Sequence, residues 1–326
     1  MKVCIYGAGA VGGHLAARLL ANTSAEVSLV VRSAAAPIIR ERGLTLRTEG
    51  REIFGRPHHV TDDPASLPPQ DLVVVTLKAP SQPAVAKEIA GLLAKDGAAL
   101  FAMNGLPWWW THGLNDKGAL DRVDPDGALW REIGGARALG AVVNSSNNVP
   151  EPGVIIHAGA KRWAVGEPDN TASPRLRRVI ELFAAADLEA VESHDIRRDI
   201  WRKLMTNISG NPIAALTRLA GKDAVAVSAL DEVAIKLIEE ALVVAKAEGC
   251  DLAGEVSPEG IARPAKGRFP GKPSMLQDVE AGRALEVEAI LGQVQSFARA
   301  RAIATPTIDT VYALLSGLDH ALRLAR

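Results

Sequence analysis

Short apolar runs alternate with segments of helical periodicity over the N-terminal half of the chain, and this alternation is its strongest signal. Lys2–Tyr6 is an apolar run, Val11–Ala21 has helical periodicity, and Val27–Val31 is β-branched and strand-like. A helix is predicted over Ala34–Arg42, ending at Gly43, and Leu44–Arg47 with Glu52–Gly55 flank a turn at Gly50 as a hairpin. Leu72–Leu77 and Ala98–Met103 predict two further strands, with a helix over Val85–Ala94 between them. Continuous apolar strands separated by helices imply a parallel sheet covered on both faces.

Beyond Gly105 the pattern loosens into a long tryptophan-bearing loop that runs through Asp124–Trp130. It then resumes with strands at Leu139–Asn144 and Gly153–His157, a helix over Arg175–Ala186 and a strand at Leu188–Val191. From about Ser193 strand-like runs vanish. Ala226–Glu248, Leu285–Ala302 and Thr307–Leu324 predict long amphipathic helices, and the Pro- and Gly-rich Pro258–Pro273 predicts a loop. The expected fold is α/β plus all-α: a Rossmann-type doubly wound parallel sheet over residues 1–193, then a helical domain over 194–326.

Composition narrows the function. A chain of 326 residues suits two domains, and 48% hydrophobic with 23% charged residues is globular rather than disordered. A formal net charge of −1 offers no global field toward nucleic acid or an anionic membrane, so neither is an expected partner. The basic runs Arg175–Arg177–Arg178 and Arg197–Arg198 read as solvated faces. Two cysteines, Cys4 and Cys250, provide no disulfide framework. No HExxH or CxxC occurs, and His58–His59 would point to opposite faces of a strand, so no metal is expected. No GxSxG elbow accompanies the serines, and Asp62–Asp63–Pro64 reads as a turn. With no leader-like start and no apolar run of membrane-spanning length, the chain is expected to be cytoplasmic.

Lys2–Tyr6 leads directly into Gly7–Ala8–Gly9–Ala10–Val11–Gly12 and a helix. In such a loop the first glycine permits a tight turn, the second admits a pyrophosphate, and the third lets helix and strand pack closely. The helix N-terminus then supplies N–H groups and a favourable dipole. A Gly-rich turn or an S-adenosylmethionine loop is the competing reading. The second strand ends in Val30–Val31–Arg32–Ser33, without the acid that would bond a ribose 2′-hydroxyl. A guanidinium can pair with a 2′-phosphate, so Arg32 points to NADP(H); the plainer reading is a surface arginine.

Lys203, Asn207 and Asn211 recur at i, i+4 and i+8 and share one helix face. Taken alone, this stripe reads as a solvated face. Ser274–Asp278 and Gly282–Glu288 form a second feature, in which Glu286 and Glu288 open a helix where the dipole favours carboxylates. Asn104–Gly105 follows a strand end, where ligands bind in open α/β sheets.

These stretches together resemble the ketopantoate reductase (2-dehydropantoate 2-reductase) family along nearly the whole chain. The matching residues are Gly7–Gly12, Arg32, Val75–Ala79 with Lys78, Asn104–Gly105, Trp201–Leu204 with Asn207 and Asn211, Ser274–Asp278, and Leu285–Glu286. The resemblance implies NADPH-dependent reduction of 2-dehydropantoate to (R)-pantoate, a step toward pantothenate and coenzyme A. It implies that Lys203 is the general acid and that Glu286 contacts the substrate's hydroxyl region. Asn104, Asn207, Asn211 and Ser274 would line the substrate pocket, and Lys78 would lie on the cofactor side of a cleft between the domains, with Asn104 near both.

Departures leave the substrate open. Pro107–Trp108–Trp109–Trp110 follows the Asn-Gly turn, and three consecutive tryptophans are expected to leave at least one partly exposed. They could wall the cleft, cover an interface or pack the loop. Reduction of another branched or aromatic 2-oxo acid by the same machinery is one alternative; a non-catalytic NADP(H) sensor or scaffold is another. The long C-terminal helices leave a homodimer open.

Overall fold

The computed structural model describes residues 1–114, 118–220, 222–263 and 272–325. It contains two compact units. One comprises Met1–Met103, Pro107–Leu120 and Asp124–Ile196; the other comprises Asn104–Leu106, Asp121–Val123 and Arg197–Arg326.

The first unit is built on a ten-stranded sheet. Its strands are β1 (Lys2–Tyr6), β2 (Glu26–Val30), β3 (Leu44–Thr48), β4 (Arg51–Gly55), β5 (His59–Thr61), β6 (Gln70–Val75), β7 (Leu93–Ala102), β8 (Ala138–Glu151), β9 (Val154–Gly166) and β10 (Glu189–Glu192). The order is β4-β3-β9-β8-β7-β6-β1-β2-β5, with β10 pairing β9. From β5 to β8 every pairing is parallel. This run has the strand order 3-2-1-4-5-6 of a doubly wound dinucleotide-binding sheet. The sheet as a whole is mixed, because β8–β9 and β3–β4 pair antiparallel.

β8 and β9 extend well past the short apolar runs that predicted them. The first six residues of β8 are buried, but its second half alternates partly buried and exposed positions. A strand with one wet face loses the continuous apolar signature. Helices α1 (Ala10–Asn22), α2 (Ala36–Arg42), α3 (Ala86–Leu92), α4 (Ala128–Glu132) and α5 (Pro174–Ala185) complete the unit. Leu15, Ala16 and Leu19 of α1 join Val3, Ile5, Val27, Val74 and Leu100 in one buried core.

Polar side chains also fix α1. Arg18 is fully buried; it donates to His14 Nε2 at 2.7 Å and pairs with Asp187 at 2.6 Å. His14 stacks on His157 with ring centroids 4.4 Å apart. Burial, followed by the neighbouring His157 and Arg18, pushes the His14 imidazole down to about 3. It therefore stays neutral and can accept from Arg18.

Three local expectations fail. Trp108, Trp109 and Trp110 are all buried, with none exposed. Hydrogen bonds from Trp110 N to Pro107 O and from His112 N to Trp109 O coil the segment into tight turns. Successive side chains then diverge by roughly 120° instead of sharing one face, so they can enter different pockets. Trp108 packs edge-on against Phe101, and Gly140 leaves room for the Trp109 ring, which a Cβ there would meet at 2.5 Å. The stretch after Asp124 contains a helix rather than only loop, because the Asp124 carboxylate accepts from the Leu129 and Trp130 amides at the start of α4. Finally, Arg175 pairs with the buried Glu167 and Arg197 is buried, so neither belongs to a solvated face.

Among the described residues the second unit has helices and no strand. They are α6 (Ile196–Thr217), whose first residue belongs to the other unit, α7 (Lys222–Val225), α8 (Ala229–Ala247), α9 (Pro258–Ala262), α10 (Ser274–Glu280), α11 (Gln293–Ala300) and α12 (Pro306–Leu324). A π-helical turn, Glu288–Gly292, leads into α11. The predicted Ala226 helix begins at Ala229, and the predicted loop from Pro258 opens with α9; residues 264–271 of that loop lie outside the described residues. No helix among the described residues is long and apolar enough to cross a membrane.

Candidate active site

The glycine turn sits between β1 and α1. Gly7 has φ +102°, a conformation costly for any side chain, and its N–H bonds Val30 O at 2.9 Å. A Cβ on Gly12 would stand 2.2 Å from Gly7 O and 2.4 Å from Thr76 Oγ1, so the helix can approach the turn only through glycine. Gly9 is different. Its backbone is extended, and a Cβ there would meet nothing within 4 Å. The fold itself does not demand glycine at 9; close approach of a ligand would.

The first turn of α1 has no side-chain cap and no acidic residue, so its leading amides remain available to an anion. Ala8, Ala10 and Val11 complete that cradle. Arg32, two residues beyond β2, is partly buried, and its guanidinium makes no hydrogen bond or ion pair among the described residues. Lys78 follows the end of β6, the strand paired with β1, and its ammonium is buried. The turn, the bare helix start and Arg32 fit a dinucleotide.

The chemical cluster lies in the second unit. Asn104, Gly105 and Leu106 belong to it although they follow β7 in sequence. Gly105 has φ +82°, and a Cβ there would fall 2.2 Å from Ala289 O. Leu106 N–H donates to that same oxygen at 2.8 Å. The Asn-Gly turn is thus docked on the π-helical segment. Asn104 Nδ2 donates to Glu286 Oε2 at 3.2 Å, and Asn207 Nδ2 donates to Asn104 Oδ1 at 3.3 Å.

Glu286 is buried and precedes the helical turn; the neighbouring Leu285 N–H is capped by Asp319 Oδ1 at 2.8 Å. Lys203, one turn before Asn207 on α6, is partly buried. Burial pulls its ammonium down from the ordinary lysine value to about 8, against the opposing pull of Glu286. Three segments distant in sequence therefore bring together a cation able to release its proton, a carboxylate and two amides.

The stripe on α6 is consequently no solvated face. Asn211 is buried one turn further on, and its amide makes no hydrogen bond among the described residues. Ser274 stands apart: it is exposed at the start of α10 and makes no hydrogen bond among the described residues. The same unit holds a trio that sequence reading missed. Tyr312 Oη donates to Glu288 Oε1 at 2.8 Å, and Arg122 Nη1 donates to Tyr312 Oη at 3.3 Å. No spacing rule links residues 122, 288 and 312, and Glu288 alone reads as a helix-opening carboxylate.

Comparison with known proteins identifies the family. Residues 3–170 match the family described as ketopantoate reductase PanE/ApbA, and residues 195–319 match its C-terminal domain. A 2-dehydropantoate 2-reductase of Mesorhizobium japonicum is 39% identical over 324 residues, covering 98% of each chain. A solved 2-dehydropantoate 2-reductase from Geobacter metallireducens superposes with a TM-score of 0.84 at 25% identity, covering 97% of this chain and 99% of that one. D-mandelate dehydrogenase, solved with NADH and anilino(oxo)acetate, shares the fold with a TM-score of 0.83 at 19% identity, covering 99% of each. The family acts on the CH–OH/C=O couple with a pyridine nucleotide. The chain belongs to the ketopantoate reductase family of oxidoreductases.

Proposed function

We propose that this chain reduces 2-dehydropantoate to (R)-pantoate with NADPH, Lys203 supplying the proton. The observation that carries the reading is the meeting of Lys203, Asn207, Asn104 and Glu286 in one cluster, with the lysine held near a physiological pKa. Gly7–Gly12, Arg32 and Lys78 would hold NADPH, which would supply a hydride to the ketone carbon. As the C=O bond opens, negative charge develops on its oxygen, and the Lys203 ammonium stabilises that charge and transfers a proton to it. Glu286 favours the charged lysine beforehand and offers an acceptor to a substrate hydroxyl. Asn104, oriented by Asn207, and the unspent amide of Asn211 orient the substrate. We assign residues 1–193 to nucleotide binding, through Gly7–Gly12, Arg32 and Lys78, and residues 194–326 to the substrate, with Asn104 joining the second group.

Steady-state reduction of a panel of 2-oxo acids, with NADPH and with NADH, tests this. The highest kcat/KM is expected for 2-dehydropantoate with NADPH. Faster turnover of an aromatic 2-oxo acid would assign the chain a substrate nearer that of D-mandelate dehydrogenase. NADPH binding without turnover of any acid would make it a sensor.

A further inference from the structure

Glu288, Tyr312 and Arg122 form a linked trio of their own in the second unit. Glu288 opens the π-helical turn Glu288–Gly292. Such a turn inserts one residue relative to an α-helix, so side chains and carbonyls before it are rotated about the axis relative to those after it. Isolated π turns need a reason to persist, and here it is visible. The Glu288 carboxylate lies over Gly292, where a Cβ would stand 2.1 Å from Glu288 Oε2 and 3.1 Å from the Tyr312 ring. It is held there by Tyr312 Oη, which in turn accepts from Arg122. Arg122 Nη1 also lies 3.7 Å from Glu288 Oε2, and its guanidinium sits 6.0 Å from the centre of the Tyr312 ring.

The same stretch also carries part of the site. Ala289, the next residue, offers the carbonyl that accepts from Leu106 N–H, and Glu286 precedes Glu288 by two residues. Arg122 belongs to a short segment held against α11: its own N–H donates to Gln293 Oε1 at 3.2 Å, and Ser296 Oγ donates to Asp121 at 3.0 Å. We propose that the Arg122–Tyr312–Glu288 chain is a positioning device that keeps the π turn in place, and thereby holds Glu286 and the docked Asn104–Leu106 turn in register. These are positioning residues: they act through Ala289 and Glu286. The consequence for turnover rests on the catalytic reading given above; the consequence for Leu106 does not.

The test combines amide hydrogen exchange at Leu106 with kinetics of the full-length chain. Glu288→Ala removes the acceptor and lets the turn relax toward α-helical spacing. Exchange at Leu106 should accelerate at least about tenfold, and kcat should fall about 10- to 100-fold through misplacement of groups that make no new contact. NADPH affinity, set in the other unit, should be unchanged. Glu288→Gln keeps an oxygen for Tyr312 and should restore both kcat and slow exchange, which a general loss of stability would not explain. Tyr312→Phe removes the hydroxyl while keeping the ring, and serves as the second variant if Glu288→Ala does not fold. Unchanged exchange at Leu106 in a folded variant, or a loss that Glu288→Gln fails to restore, overturns the proposal. Lys203→Ala, measured alongside, keeps the two ideas apart. Wild-type turnover in that variant would remove Lys203 as the acid, while faster Leu106 exchange in Glu288→Ala would still establish the positioning device.

Discussion

The glycine turn and the lysine cluster are built on opposite logics. At the junction of β1 and α1, Gly7 meets a left-handed φ and Gly12 a close approach to Gly7 O, both within a few ångströms, while Gly9 keeps an open face. In the cluster, Asn104 comes from one end of the sheet region, Lys203 and Asn207 from α6, and Glu286 from the approach to α11. The turn is a local object that a short peptide spells out. The cluster exists only when the second unit has folded. The difference teaches that affinity for the nucleotide and power over the substrate should fail separately.

Breaking the cluster should have the largest effect. Lys203→Ala is expected to lower kcat by about 10²- to 10³-fold, as for loss of a donor worth about 2.7–4 kcal/mol in the transition state, with the NADPH dissociation constant unchanged. Stopped-flow turnover paired with a binding titration checks both halves; parallel loss of nucleotide affinity would erase the distinction between the two regions.

Breaking the proposed 2′-phosphate contact in the nucleotide-binding unit comes next. Arg32→Ala should weaken NADPH binding about 10- to 100-fold, the range for one charged hydrogen-bonded pair of about 1.5–3 kcal/mol, while NADH binding stays as it was. Equal weakening of both cofactors would show that Arg32 does not read the 2′-phosphate.

The smallest effect sharpens the comparison instead of breaking it. As the proposed acid, Lys203 must be protonated to act, and its pKa is lowered to about 8, chiefly by burial. In the reduction direction kcat/KM should therefore hold steady with rising pH up to about 8 and decline above it. Glu286 acts to raise that value, so Glu286→Gln should move the decline to lower pH. A shift upward, or none, would contradict the Coulombic role. The sign for stability runs the same way. The folded chain binds the Lys203 proton more weakly than the unfolded one, so this group penalises folding most below pH 8, and the penalty fades as pH rises toward the ordinary lysine value. Such a penalty at the proposed acid is what selection for activity, not stability, would leave behind.

Much of the fold was legible because continuous apolar strands and helical periodicity are local properties. β1, β2, β3, β4 and β6 fall within a residue or two of their predicted runs, and the Gly43 helix stop is also where expected. The outer halves of β8 and β9 escaped, since a strand with a wet face alternates and its pairing partner decides whether it forms at all. The three tryptophans misled for a related reason. Burial of Trp108, Trp109 and Trp110 depends on turns that point each ring into a different pocket, including the space left by the distant Gly140.

By itself the sequence determined the nucleotide turn, the absence of an acid at the end of β2, and the shared face of Lys203, Asn207 and Asn211, because each depends on backbone geometry within a few residues. Only the tertiary structure decided that this face is covered, that Asn104 bridges Asn207 and Glu286, and that Tyr312 and Arg122 link to Glu288 at the start of a π turn. The physical reason is range. Steric limits on φ and helical spacing act between neighbours along the chain, whereas desolvation and hydrogen bonding act between neighbours in space. The pull on the Lys203 ammonium does not exist until burial removes its water.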